Sequence, residues 1–331
     1  MRQRALIAAF LVVALGFAFF ARADDDDKVM GVYQGTISGK NWDGKTIRAQ
    51  VVSESKIDFR AVLFVGDGKS ETKATVTGKG RKGEASFSGD ADLGDFGGKA
   101  SVSGEIGNET FTGVIKAKGE GKFTLKRVFP EPPTRGKACP ADGINLFDGK
   151  NLGANWSRIP KEWCLQDDGS MQVCSSSLLT NQELGSGTYH VEFMTPFMPN
   201  ERDQGRGNSG VYVLGRYEVQ VLDSFGNGPR DNWCGGIYKK AVPIADAVLP
   251  PLQWQTYDIT FQTAQFDAGG NKTKNARITV VHNGITVHDN AELDSPTPGG
   301  VSDTDAAAGP LLLQDHGNPV KYRNIWFQQS K

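Results

Sequence analysis

The sequence predicts an all-β protein in which a small antiparallel β meander or barrel precedes a jelly-roll sandwich. Three observations support this fold class. First, 331 residues with 38% apolar content are enough to build two hydrophobic cores. Second, short stretches of alternating polar and apolar residues run along both halves of the chain, and none keeps a helical period. Third, a proline-rich segment near residue 130 divides the two halves.

The amino terminus predicts export. Arg2 and Arg4 precede an apolar run from Ala5 to Phe20, and Ala21-Arg22-Ala23 has the small-x-small pattern that a signal peptidase recognises. We therefore expect residues 1–23 to be a signal peptide and the mature protein to be periplasmic or secreted, without stable membrane insertion. An uncleaved membrane anchor is the alternative, although the run is somewhat short for a spanning helix.

The first domain, residues 29–129, is predicted to consist of antiparallel strands separated by glycine-rich turns. It contains no His and no Cys, and its carboxylates are scattered singly. We therefore expect a packing, spacer or sugar-binding module. The predicted strands are residues 46–52, 57–65, 85–88, 99–102, 110–116 and 122–128.

Residues 130–138 are predicted to be a stiff linker, because prolines cannot donate ladder hydrogen bonds and favour extended backbone. The second domain, residues 139–331, again alternates like a set of strands, and it lacks helical crossovers. This pattern favours a two-sheet jelly-roll sandwich over a parallel sheet. Its predicted strands are residues 187–195, 210–214, 216–222, 256–262, 276–282, 285–288, 310–314 and 322–328.

Charge and cysteine content narrow the function classes. A formal net charge of -1 leaves no cationic surplus for nucleic-acid phosphates, so we expect no nucleic-acid partner. In an exported chain, cysteines are candidates for disulfides. Cys164 and Cys174 flank a turn signal centred on Gly169 and would face each other across a hairpin, which predicts a disulfide between them.

One predicted strand carries a row of polar side chains. In residues 216–222, period-two alternation places Arg216, Glu218 and Gln220 on one face, while the intervening apolar residues point into the sandwich. A cation, a carboxylate and an amide in a row suit sugar hydroxyls, which need both donors and acceptors. A solvated outer face with an ordinary Arg–Glu pair is the alternative. Asp223 ends the strand at a loop edge, where it could turn toward the same cleft.

A second polar cluster follows an apolar strand at Gln314-Asp315-His316-Gly317-Asn318. This loop could present the His316 imidazole, whose charge changes near neutral pH, as a proton carrier. From the residues alone, a surface histidine is the default interpretation.

Several motifs, in order along the chain, resemble the 3-keto-disaccharide hydrolase domain, long catalogued as a domain of unknown function. The resemblance covers about residues 144–329. It implies a fold similar to concanavalin-type lectins and glucanases, in agreement with the predicted sandwich. The motifs are INLFDG at 144–149, GNSGVY at 207–212, RYEVQVLDS at 216–224, WQTYD at 254–258, NG at 283–284, VHDN at 287–290 and LQDHGNPVKYRNIW at 313–326.

The resemblance also implies a chemistry. The substrate would be a glycoside already oxidised at C3 by a separate sugar dehydrogenase, so that a base can remove the acidified C2 proton and the aglycone can leave from C1. We expect His316 or Glu218 to be the base, Arg216 to stabilise the enolate, and Asp223 to act as acid. The expected substrate-binding residues are Asn208, Ser209, Tyr212, Gln220, Trp233, Gln314 and Asp315.

Three alternatives stay open from the sequence. We assign no cofactor from the sequence. A divalent cation is the alternative, with Glu218, Asp223, Asp315 and His316 as candidate ligands, although these residues do not follow the close spacing of a known metal-binding motif. A conventional glycosidase would use Glu218 and Asp223 as its two carboxylates. A lectin-like module would bind sugar without cutting it.

Overall fold

The computed structural model describes residues 28–67, 70–150, 155–157, 164–174 and 176–331, with only the backbone described at 157 and 164. The predicted signal peptide, residues 1–23, lies outside the described residues. Within the described ranges, no helix has the length and apolar character needed to cross a bilayer.

Residues 31–128 form a closed barrel of eight antiparallel strands, which confirms the predicted all-β fold. Each strand pairs with the next, and the last pairs with the first. The strands are β1 (Gly31–Ser38), β2 (Thr46–Ser53), β3 (Asp58–Gly66), β4 (Glu71–Arg81), β5 (Glu84–Asp92), β6 (Lys99–Gly107), β7 (Thr110–Lys116) and β8 (Glu120–Val128).

Alternate residues of every barrel strand point inward and fill the interior, as expected for eight strands. Phe111 lies at the centre of an aromatic cluster, with its ring centroid 5.1 Å from that of Phe87 and 5.2 Å from that of Phe123. A Cβ at Gly113 would lie 2.3 Å from the Phe123 ring, so glycine is required beneath this aromatic side chain. The barrel interior is therefore a packed core.

The second half of the chain is a sandwich of two antiparallel sheets. The strands of this half are β9 (Ile144–Phe147), β10 (Trp156–Ser157), β11 (Cys164–Leu165), β12 (Met171–Gln172), β13 (Leu178–Thr180), β14 (Gly187–Met194), β15 (Ser209–Val213), β16 (Tyr217–Val221), β17 (Gln255–Gln262), β18 (Gln265–Phe266), β19 (Lys272–Lys274), β20 (Ala276–His282), β21 (Ile285–Leu293), β22 (Leu312–Leu313) and β23 (Lys321–Gln329). The front sheet has the strand order β10-β13-β22-β15-β16, and the back sheet has the order β11-β12-β23-β14-β17-β20-β21 with β9 paired beside β23. Strands β18 and β19 pair with each other in a separate two-stranded sheet. Single-turn 3-10 helices occur at Gly94–Phe96 and Asp203–Gly205.

The sandwich core lies between the inner faces of the two sheets. Val211 and Val219 of the front sheet are fully buried there, as is Phe261 of the back sheet, whose ring centroid lies 5.0 Å from that of Tyr217. Burying each such valine or phenylalanine contributes about 1.5–3 kcal/mol. Because these apolar residues occupy one face of the front sheet, its opposite face is left for polar side chains.

The proline-rich segment is bonded along the back sheet. Thr134 donates a 2.6 Å hydrogen bond to Asp258, and the Gly136 amide donates to the Glu192 carboxylate. The Lys137 carbonyl accepts a 3.1 Å bond from the Trp326 indole. The stiff segment expected from its prolines is thus also held by specific bonds to the sandwich.

The predicted cysteine hairpin forms with a shifted register. Cys164 of β11 pairs with Gln172 of β12, so Cys174 lies two residues beyond the position opposite Cys164. The expected face-to-face placement is therefore wrong. Because the Cys164 side chain lies outside the described part of the chain, the disulfide itself stays a prediction.

Candidate active site

The β15–β16 hairpin places a set of polar groups on the outer face of the front sheet. In its register, Tyr212 lies opposite Glu218 and Gly210 lies opposite Gln220. Since Val211 and Val219 point into the core, these four residues share the opposite face, which we call the Glu218 face. The prediction that Glu218 and Gln220 leave the core side of their strand is confirmed.

The Glu218 carboxylate lies at the centre of this face and is only 1% exposed. Its Oε2 accepts a 2.7 Å hydrogen bond from the Tyr212 hydroxyl, which in turn accepts a 3.0 Å bond from the Gln314 amide. A Cβ at Gly210 would lie 2.2 Å from Glu218 Oε1. Only glycine therefore leaves room for the carboxylate in this position.

Burial makes Glu218 a group that titrates near neutral pH. It raises the pKa of the carboxyl to about 8, while the hydrogen bond from Tyr212 opposes the rise. Burial also raises the pKa of Tyr212 far above its ordinary value, so the phenol keeps its proton. A carboxyl with this pKa can accept or donate a proton at physiological pH.

Two amide side chains beside Glu218 present unfilled acceptors. The Gln220 amide donates a 3.1 Å bond to Gln204 Oε1, and the Asn208 amide donates a 2.7 Å bond to the Gln204 carbonyl. Within the described ranges, Gln220 Oε1 and Asn208 Oδ1 are buried and accept no hydrogen bond. Because buried acceptors are nearly always satisfied, these two oxygens are suited to a bound hydroxyl or water.

The loop that carries His316 contacts strand β15 of the front sheet. The Gln314 backbone amide donates a 2.9 Å bond to the Gly210 carbonyl, and the Asn208 backbone amide donates a 2.7 Å bond to Asn318 Oδ1. Asp315 accepts from the Gly317 amide within the loop, and His316 is exposed to solvent. The structure thus joins the loop to the Glu218 face through Gln314, and His316 lies in the exposed part of this loop.

Arg216 does not extend the polar row, which corrects the prediction. It belongs to the turn before β16, where Leu214 and Gly215 adopt φ values of 54° and 63°. Its guanidinium donates to the carbonyls of Leu214 and Thr304 at 2.9 and 2.8 Å. The turn directs this cation toward backbone carbonyls, so Arg216 is not positioned to stabilise an enolate beside Glu218.

Asp223 and Glu218 bond to different side chains. Its Oδ2 is 2.6 Å from Arg206 Nε in a buried ion pair. Burial raises the pKa of the Asp223 carboxyl, and the Arg206 guanidinium opposes this rise. The expectation that Asp223 would turn into the cleft as an acid is corrected, because its carboxylate is engaged by Arg206.

Two expected sugar-binding residues face the interior. The Ser209 hydroxyl donates to the Gln314 carbonyl and accepts a 2.7 Å bond from Tyr322 of the back sheet, so its bonds are used inside the sandwich. Trp233 is 8% exposed, and Arg230 lies over its ring at 4.1 Å. Neither side chain is placed as a sugar-recognition group.

The candidate cation ligands do not converge. Glu218 is bonded to Tyr212, Asp223 to Arg206 and Asp315 to its own loop. Across the described ranges, no three His, Cys, Asp or Glu side chains form a group able to hold a metal ion. The residues present therefore do not fit the divalent-cation alternative.

Gln204 and Gly210 were missed as site residues by sequence reasoning. Gly210 stands in the GNSGVY motif, where a glycine between polar residues on a strand could have indicated a close approach. Gln204 offers no such signal. It reaches the Glu218 face from the loop that contains the Asp203–Gly205 helix, and loop residues have no period-two alternation to indicate where they point.

The second half of the chain is similar to known proteins. No curated protein sequence matches the chain. A crystal structure of a candidate glycosyl hydrolase from Parabacteroides distasonis ATCC 8503 is 33% identical, with a TM-score of 0.53, covering 58% of this chain and 85% of that one. A second candidate glycosyl hydrolase from this organism is 18% identical, with a TM-score of 0.43, covering 57% of this chain and 94% of that one. The family model of 3-keto-alpha-glucoside-1,2-lyase-like domains matches residues 142–328, more than half of the chain, and the chain therefore belongs to this family.

Proposed function

We propose that this chain is an exported enzyme that cleaves the glycosidic bond of 3-keto-glycosides or 3-keto-disaccharides by elimination followed by hydration. The observation that carries the proposal is the buried Glu218 carboxyl, with its pKa raised to about 8, beside two unfilled amide acceptors. Family membership and the likeness to a candidate glycosyl hydrolase support a carbohydrate substrate.

The reaction follows from the acidity that a C3 ketone confers on the C2 proton. Glu218, in its ionised form, takes this proton, and the C2–H electron pair forms an enolate with its charge on the C3 oxygen. The enolate then re-forms the ketone and expels the C1 oxygen of the aglycone, which leaves a C1=C2 double bond. Addition of water returns a hydroxyl to C1 and a proton to C2, so the overall change is hydrolysis.

Glu218 is the better base of the two candidates. A carboxylate whose pKa is about 8 is a stronger base than an ordinary one, and it still ionises within the physiological range. When it accepts the C2 proton, the Tyr212 hydroxyl that was bonded to it becomes available to the developing C3 oxyanion. We propose that His316, in the exposed part of the neighbouring loop, exchanges protons between the departing oxygen and solvent.

Substrate recognition is assigned to the amides of the Glu218 face. Asn208 Oδ1 and Gln220 Oε1 would accept hydrogen bonds from sugar hydroxyls, and Gln314 would donate one. Because Glu218 is almost fully buried, substrate entry requires a displacement of groups above it. Gln314 is half-buried and adjoins the exposed loop, so we propose this edge as the entry side.

A sugar-binding protein without catalysis is the second candidate. The unfilled Asn208 and Gln220 oxygens serve it equally well, because recognition requires no base. A conventional two-carboxylate glycosidase has less support, since Asp223, the expected second carboxylate, is paired with Arg206.

Cleavage of a matched pair of sugars separates the three functions. The mature protein is incubated with a disaccharide and with its 3-keto derivative, and the released sugars are quantified. We expect release from the oxidised sugar alone, with the Glu218→Gln variant inactive. Release from the parent disaccharide would indicate the glycosidase, and calorimetric binding without release would indicate the lectin.

Export and pathway position are further parts of the proposal. The signal-like amino terminus supports a periplasmic or secreted location after cleavage. The proposed substrate requires a preceding reaction that oxidises a sugar C3 hydroxyl to a ketone, so a sugar 3-dehydrogenase activity must supply it.

A further inference from the structure

We infer that the barrel holds the recognition amides of the Glu218 face in place, and that Arg206 is the positioning residue through which it does so. The catalytic consequence rests on the proposed function, whereas the structural consequence can be measured independently of it.

Arg206 joins three parts of the molecule. Its Nε contacts Asp223 Oδ2 at 2.6 Å, and its Nη1 donates a 3.0 Å bond to the carbonyl of Ser53 at the end of barrel strand β2. The Arg206 carbonyl accepts a bond from the Asp223 amide, just beyond β16. With 5% exposure, the guanidinium makes these bonds away from solvent, where charge-assisted bonds are strong and their geometry is restrictive.

The same segment carries the site amides. Gln204 lies two residues before Arg206, and Asn208 lies two residues after it. Gln204 orients Asn208 and Gln220 by accepting from both side chains, and its own amide donates a 2.8 Å bond to the Asn232 carbonyl. A shift of Arg206 would therefore move the groups that aim the two unfilled acceptors.

Contacts around Glu54 hold the barrel against this segment. Glu54 lies 3.3 Å from Arg202 and 2.8 Å from Arg60, and Arg60 also donates a 2.9 Å bond to the Gly226 carbonyl. A Cβ at Gly226 would lie 2.4 Å from a Val52 methyl, so the barrel and the loop after β16 are in close contact. The turn between β2 and β3 thus contacts the segment that contains Arg206, and strands β2 and β3 contact the loop after β16.

The local structure explains why such anchoring matters. Between β14 and β15 the only helix is the single turn Asp203–Gly205, too short to hold its own shape. The conformation of this segment therefore depends on its bonds to Asp223 and the barrel, together with the bonds of Gln204 and Asn208 to Asn232 and Asn318. Displaced acceptors at Asn208 and Gln220 would bind sugar hydroxyls less well, which raises KM.

The test uses the full mature chain with the variants Arg206→Lys and Glu54→Gln. Glu105→Gln, on the exposed side of barrel strand β6, is the matched control. Hydrogen exchange is measured across residues 203–208 and, for reference, across β17 and β20. We expect exchange in 203–208 to be at least about tenfold faster in Arg206→Lys, less so in Glu54→Gln, and unchanged in β17 and β20.

Kinetics with a 3-keto-disaccharide add a second readout. We expect kcat/KM of Arg206→Lys to fall by about tenfold or more through KM, with the pH dependence assigned to Glu218 unmoved. If the wild type cleaves no 3-keto sugar, the proposed function fails while the exchange experiment still decides the inference. Unchanged exchange in 203–208 for both variants, or equal changes in Glu105→Gln, would overturn it.

Discussion

The Tyr212 hydroxyl donates a 2.7 Å hydrogen bond to the Glu218 carboxylate from the position directly opposite it in the β15–β16 ladder. Cross-strand register thus places a proton donor against a buried carboxylate without help from any loop. This pair sets the proton affinity of the site, because burial favours neutral Glu218 and the phenol favours its ionised form.

The raised pKa of Glu218 predicts that the wild type loses stability with rising pH. In the unfolded chain the carboxyl ionises near its ordinary value of 4.5, whereas in the fold it ionises at about 8. The fold therefore binds this proton more tightly, and the resulting stability declines as pH rises from 4.5 through 8. Relative to wild type, Glu218→Gln should gain on the order of a few kcal/mol in the free energy of unfolding between pH 4.5 and pH 8. Denaturant unfolding at a series of pH values measures this difference. A constant difference between pH 5 and pH 8 would contradict the assigned pKa.

Removal of the Tyr212 hydroxyl is expected to shift the activity profile. Tyr212→Phe deletes the donor that lowers the Glu218 pKa, so the alkaline rise in kcat/KM should move to higher pH. Loss of a donor to the enolate should also lower kcat by about 10²-fold. The check is a pH series of initial rates. A profile that stays at the wild-type position would show that Tyr212 does not act on Glu218.

A methyl group at Gly210 should disable the site. The Cβ of Gly210→Ala would overlap Glu218 Oε1, and forcing the carboxylate aside costs about 1–3 kcal/mol in strain. We expect a lower melting temperature together with loss of 3-keto-disaccharide cleavage. Gly107→Ala is the matched control, since a Cβ there meets no atom within 4 Å. Full activity in Gly210→Ala would argue against Glu218 as the base.

His190, Glu192 and Asp258 form a cluster against the proline-rich segment. This cluster predicts that stability is highest at intermediate pH and falls at acid and alkaline pH. Burial opposes the charge on His190, but its bonds with Asp258 and Glu192 raise its pKa. The stability from His190 is therefore present below about pH 6.5 and lost as pH rises through its raised pKa. Burial is likewise outweighed at Glu192, where bonds from His190 and Asn324 lower the pKa to about 2. The stability from Glu192 is present above its ordinary 4.5 and lost as pH falls toward 2.

Substitution of His190 tests this cluster. His190→Gln removes the buried cation beside Asp258, while Glu192 keeps its contact with Arg323, and the loss should cost about 3 kcal/mol near pH 6. The cost should shrink at alkaline pH, where wild-type His190 has lost its proton. Thermal unfolding from pH 5 to pH 9 measures the difference. An equal cost throughout would mean that His190 is neutral in the fold.

Local pattern predicted the strands well wherever alternation was strong. Residues 276–282 form β20 as predicted, and the neighbouring strands differ by a few residues at their ends. Strands β1 and β4 were missed because glycines interrupt the apolar alternation of both, and lysines also interrupt that of β4. Barrel closure depends on pairing between β1 and β8, which are far apart in the chain, so local pattern carries no signal for it.

The site was predictable only where period-two alternation applied. Alternation placed Glu218 and Gln220 on one face, but distant segments cover their strand. The Glu218 backbone amide donates to the Thr297 hydroxyl, and the Gln220 backbone amide donates to the Gly236 carbonyl. The Asp223 prediction failed for a related reason. Its partner Arg206 lies on another loop, and the sequence gives no indication that the two meet.

Proton transfer at C2 is the central claim of the proposed function, and deuterium incorporation tests it most directly. A 3-keto-disaccharide is cleaved by the mature protein in deuterated water, and the product is analysed by NMR against a sample without enzyme. Elimination and hydration predict one deuterium at C2 of the released 3-keto sugar, with neither cleavage nor enzyme-dependent exchange in Glu218→Gln. Cleavage with the original C2 proton retained would contradict the account.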